Sequence, residues 1–209
     1  VDYFEIKRIM ELCAFVISVI VAVLMVVNLK KNNPHILCWT VAWAIISVRT
    51  FMAIFEPLSI PLGFVRDAMI VASDILFFVG IAVLIDFGTL YRTFMPGIFM
   101  LTHLSISGIL YLFYDSAVLG ATFTNLFSNP VLLFLVFYFF NEAGIKMNSF
   151  PLRLIGMGFL LWAIDFVIFG PLYYGAGYLF AGMCGWIIGF IARIIIFVGF
   201  VYLLPGRRD

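Results

Sequence analysis

Arg49, Asp74 and Asp165 stand inside long runs of aliphatic and aromatic side chains. An unpaired charge at the centre of a bilayer costs about 3 kcal/mol or more, so such residues turn inward and find partners. Two acids to one arginine leave one carboxyl group over, a composition suited to ligand binding or proton sensing rather than to a closed ion pair. Trp43, Trp162 and Tyr173 share the same runs and would supply aromatic walls. A deeper set, Arg193 and Asp86 with His103 nearby, reads as a structural ion pair, Arg193 with Asp86.

Other chemistry finds little footing. Cys13, Cys38 and Cys184 lie in separate apolar stretches without a CxxC spacing, and are expected as small buried hydrophobes rather than redox or zinc ligands. His35 and Cys38, three apart, could coordinate copper, but a lone pair of this kind is usually incidental. His35 and His103 are the two histidines and sit at the inner ends of different helices, which argues against a bis-histidine haem. The predicted spans contain no lysine for a retinal Schiff base. HExxH, nucleophile constellations and phosphate-cradling glycine loops are absent, so no metal, no cofactor and no enzyme activity is expected. Gly182, Gly185 and Gly189 form a small-residue stripe for close helix packing, or for a homodimer through the seventh helix.

The elements that must position these residues follow from composition. The chain of 209 residues is 65% hydrophobic and 11% charged, with a mean hydropathy of +1.19. A soluble domain is about 25% charged, and one of this size could not bury so much apolar surface. The partner is therefore a lipid bilayer. A net charge of +1 gives no field for nucleic acid. A spanning helix needs roughly 20 apolar residues. Seven such runs are expected, at 9–29, 36–56, 67–90, 97–114, 117–140, 153–173 and 177–204, separated by turn-forming stretches such as KKNNPH and EPLSIPLG. They are too long for barrel strands. The prediction is one all-α, multi-pass, seven-helix domain over 1–209. Ser128–Pro130 should kink or break the fifth helix.

Lys30, Lys31, Arg92, Lys146, Arg153, Arg207 and Arg208 fall on one side of this plan, and Lys7, Arg8 and Arg66 on the other. The positive-inside rule then places the N-terminus outside and the C-terminus in the cytoplasm. Tyr91, Tyr173, Tyr174 and Tyr178 stand where an aromatic belt belongs. A rise of about 1.5 Å per residue brings Arg49, Asp74 and Asp165 into one layer of the outer half, with Glu11 and Glu56 above them. Arg49 is expected to reach Asp74 or Asp165. WAIISVRTFMAIFEPL from Trp43 and WAIDFVIFGPL from Trp162 share their first three residues and a closing Pro-Leu. They hint at two parallel triplets joined by the fourth helix.

The second span, LCWTVAWAIISVRTFMAIF, resembles the Trp-x3-Trp…Arg pattern of the seven-helix membrane sensor modules that precede bacterial and archaeal histidine kinases and diguanylate cyclases. The sixth and seventh spans, with a Gly-rich start, a Trp, a polar residue and a Pro-aromatic turn, resemble the final pair of those modules. The resemblance implies an N-out, C-in sensory bundle for an external or membrane-borne cue, feeding a cytoplasmic output domain or partner protein. Members commonly carry another polar residue where Asp165 stands, so no ligand is implied. After Leu204 the chain reads PGRRD, which suggests a receptor cut at this point or a stand-alone relative. The leading expectation is a non-catalytic sensor. The alternatives are a small transporter or channel with a 3+1+3 helix plan, and an integral subunit of a larger membrane complex.

Overall fold

The computed structural model describes residues 3–29, 33–55, 59–88, 90–114 and 116–204. Glu56, Lys30, Lys31, Arg207 and Arg208, and the side chains of Tyr91 and Tyr174, lie outside the described residues. Among those described, all regular structure is helical: α1 (Tyr3–Val27), α2 (Pro34–Ile54), α3 (Ile60–Leu84), α4 (Met95–Gly108), α5 (Ala117–Phe123), α6 (Asn129–Lys146), α7 (Phe150–Gly170) and α8 (Leu179–Leu203). Seven helices are long and apolar enough to cross a membrane: Glu5–Val27, Pro34–Ile54, Ile60–Leu84, Arg92–Phe113, Val118–Lys146, Phe150–Tyr173 and Leu179–Leu203. Their outward faces carry bare apolar side chains such as Leu101, Phe113 and Phe180, as a multi-pass membrane protein requires.

Neighbour packing runs α1–α2–α3–α6–α7–α8 and back to α1, closing a ring of six helices, with α4 and α5 against the outside of α3. The ring is filled by aromatics. Trp39 meets Phe140 and Phe200 at 5.4 Å each, and Phe77 meets Phe159 at 5.0 Å. The Trp39 indole NH donates to the Phe77 carbonyl, and it lies where a side chain at Gly80 would collide with it. α7 and α8 approach closely because Gly158 faces Ile196 and Gly199 faces Ile155.

Several boundaries differ from expectation. α3 starts at Ile60, with Pro61 in its first turn where a missing NH does no harm, and ends at Leu84 rather than near 90. There Asp86 takes a left-handed φ of 55°, while the Phe87 and Asp86 amides donate to the Ala82 and Val83 carbonyls. This is a Schellman stop, and Asp tolerates its left-handed position better than most residues. Asn148 ends α6 in the same way. The interruption expected at Pro130 is a π-helical turn, Thr124–Ser128, that keeps the fifth span helical between α5 and α6. Further π-helical turns cover Leu90–Phe94, Ile109–Phe113 and Pro171–Gly175.

Candidate functional site

A cavity of about 260 Å³ lies inside the ring, at the end that holds the start of α1, α3 and α8 and the finish of α2 and α7. That volume is slightly below the range of small-molecule sites, roughly 300–1,000 Å³. Helical spacing builds its walls. Lys7 and Glu11 stand one turn apart on α1, Arg49 and Ala53 on α2, and Arg66 and Ile70 on α3. α7 adds Trp162, Asp165, Phe166 and Phe169, and the turn after it Tyr173. α8 adds Gly182, Gly185, Trp186, Gly189 and Arg193, and the π-helical turn of the fifth span adds Asn125.

Four of the six residues expected at the site meet here: Arg49, Asp165, Trp162 and Tyr173. Asp74 is one turn deeper than Ile70 on α3, buried to 1% exposure and off the lining, though its charge is felt by Arg49. Trp43 is deeper still, packed edge-on to Phe77 and Phe200 in the aromatic core. It does not line the cavity.

The expected pairings change. Asp86 is 93% exposed at the turn after α3 and is bonded to Arg92, so it is no partner for Arg193. Its helix stops too soon to carry it into the ring. Arg193 instead reaches the cavity, its guanidinium 4.9 Å from the centre of the Trp162 ring. Counting depth by Cα misplaced it, because helical side chains lean toward the helix N-terminus and α8 starts at the cavity end. Arg49 and Asp165 both line the cavity but make no ion pair with each other among the described residues. His103 is remote from both, its Nδ1 2.9 Å from the Ser128 hydroxyl in an apolar groove between α4 and the fifth span.

Asp165 owes its position to glycine. A Cβ at Gly185 would lie 2.6 Å from its Oδ1, and one at Gly189 would lie 3.1 Å from its Oδ2. Gly185 and Gly189 of the stripe thus face α7 within the chain.

Several contributors escaped the sequence reading. Lys7 precedes the apolar run of the first span, but α1 starts at Tyr3 and brings it over the Trp186 ring at 5.5 Å. Its i, i+4 spacing to Glu11 was the available signal. Arg66 precedes the apolar run of the third span, but it lines the cavity from α3 and pairs with Asp67 at 3.0 Å. Asp67, fully buried, also accepts from the Tyr111 hydroxyl.

Among the described residues the cavity lining has no serine, threonine, cysteine or histidine, while its charged groups face one another across a space. Compared with known proteins, the chain matches no family model, no curated protein and no solved structure.

Proposed function

We propose that this chain is a non-catalytic sensory bundle of the cell membrane, with its N-terminus outside and its C-terminus in the cytoplasm. A ligand enters the cavity, and α8 transmits the resulting shift to the opposite face. The observation that carries the reading is that α8 lines the cavity with its first half, from Ala181 to Arg193, and then runs on to Leu203 at the far end. Its lower half locks to α7 through glycine contacts, so a change at the cavity moves both helices together. The likeness of the second, sixth and seventh spans to sensor modules points the same way, as does the loop charge.

Transport is the second reading, favoured by the π-helical turn Thr124–Ser128, since irregular helices build transporter sites. Against it, the ring beyond the cavity is filled by the packed cluster of Trp43, Phe77, Phe159 and Phe200. The test uses spin labels at Ile145 and Tyr202, both exposed on α6 and α8, in nanodiscs and in a background without native cysteines. A small-molecule extract of the source cells should shift the distance between the labels, while proteoliposomes accumulate no solute from it. Accumulation without a shift would replace sensing by transport.

A further inference from the structure

The ligand class can be taken one step further, on the reading that the cavity is a ligand site. We propose that it receives an oxyanion, a carboxylate or a phosphate, held between Arg49 and Arg193. Its lining carries four cationic side chains, Lys7, Arg49, Arg66 and Arg193, against two acids, Glu11 and Asp165. Arg66 is engaged by Asp67, and Lys7 lies over Trp186. Arg49 and Arg193 have no ion-pair partner among the described residues, and buried NH groups of both, Nε and Nη2 of Arg49 and Nε of Arg193, lack an acceptor.

A guanidinium has five donors and no acceptor, so its unpartnered NH groups call for an acceptor. Arg193 is 5% exposed and is balanced on one side by the face of Trp162, which offers charge density but no lone pair for its NH groups. Asp165 is held back from it on the glycine stripe of α8, short of ion-pair contact. Two guanidinium groups lining one cavity are what a forked, two-oxygen anion binds. Phe166 and Phe169 beside it suit an apolar remainder. The same group could come from a lipid headgroup or from a free organic acid or phosphate.

The test follows tryptophan emission, since Trp162 and Trp186 both line the cavity. The whole chain in phosphatidylcholine nanodiscs is titrated with benzoate and with inorganic phosphate, against chloride at equal ionic strength. A second preparation contains phosphatidylglycerol. The expected result is a saturable change with a free oxyanion, or, if the source is lipid, the changed emission already present with phosphatidylglycerol. Binding should fall about tenfold or more in Arg193→Gln and Arg49→Gln, the scale of a hydrogen bond to a charged group. Arg92→Gln, at the turn after α3, should bind as the parent does. Asp165→Asn should bind the anion more tightly, because a negative charge beside Arg193 is gone.

Should Arg193→Gln fail to fold, Asp165→Asn and Arg193→Lys carry the test, the latter keeping charge but losing the fork. No response to any probe, a response undiminished in the arginine variants, or weaker binding in Asp165→Asn overturns the assignment. A tetramethylammonium-driven shift of the α6–α8 labels would overturn the ligand class and leave sensing intact. Saturable oxyanion binding that leaves the labels unmoved would do the reverse.

Discussion

The guanidinium carbon of Arg193 lies 4.9 Å from the centre of the Trp162 ring, joining α8 to α7 at the cavity wall. A buried arginine without an anionic contact needs compensation, and a tryptophan face supplies about 1–2 kcal/mol of it when water is excluded. Trp162→Leu should therefore destabilise the bundle by about 1 kcal/mol more than Trp162→Phe, which keeps a ring. In an Arg193→Met background that difference should vanish. Melting curves of the four variants in one detergent decide it, and a difference that survives without the arginine would mean ring packing alone.

The glycines between α7 and α8 divide into two kinds. A Cβ at Gly158 would lie 3.0 Å from the Ala192 carbonyl oxygen and 2.5 Å from Ile196, and one at Gly199 would lie 3.1 Å from the Ile155 nitrogen. Backbone cannot swing aside, so Gly158→Ala and Gly199→Ala should each cost about 1–3 kcal/mol. At Gly185 the obstacle is the Asp165 carboxylate, the end of a side chain. Gly185→Ala should leave the melting temperature nearer the parent's and change the emission of Trp162. Equal losses at all three positions would show that Asp165 is fixed as firmly as backbone.

Asp86 and Arg193 stand in different surroundings, one bonded to Arg92 at a turn and the other above Trp162. Residues that share no partner contribute additively, within about 0.5 kcal/mol. The stability losses of Asp86→Asn and Arg193→Gln should therefore sum in the double variant. A coupling above 1 kcal/mol would restore the ion pair that the sequence suggests.

That suggestion shows what a linear reading can carry. The helices are legible because twenty apolar residues in a row have few alternatives, and Arg49, Trp162 and Asp165 are legible because charge and indole stand out against them. Pairing is less so, since it depends on where a helix stops and which way a long side chain leans. The left-handed Asp86 ends α3 a turn and a half before the apolar run suggests. Arg193 leans toward the cavity along its own helix. Lys7 and Arg66 were lost for a related reason: α1 and α3 start earlier than hydropathy indicates, because Pro61 and the charged first turn of α1 are still helical. Asp67 with Tyr111 could not be seen at all, as the two are 44 residues apart and the turn that aims Tyr111 is π-helical.

Asp67 is fully buried, with one oxygen taken by Arg66 and the other by the Tyr111 hydroxyl. Removing that hydroxyl leaves a buried carboxylate oxygen without its donor, at about 1–3 kcal/mol. Tyr111→Phe should lower stability by that amount, and by much less in an Asp67→Leu background, where no acceptor remains. Gly120 tests the same contact from the other side. A Cβ there would lie 2.0 Å from the Tyr111 ring, which is wedged against Gly63 on α3 as well. A ring held on two sides cannot yield as a carboxylate tip can, so Gly120→Ala should cost about as much as Tyr111→Phe or more. Because Arg66 is held by Asp67 at the cavity wall, Tyr111→Phe should also weaken any anion bound there, while Ser105→Ala, on the exposed side of α4, should not. Parallel melting and binding titrations separate the two: lost stability with unchanged binding would confine the tyrosine to holding α3 against α4 and α5.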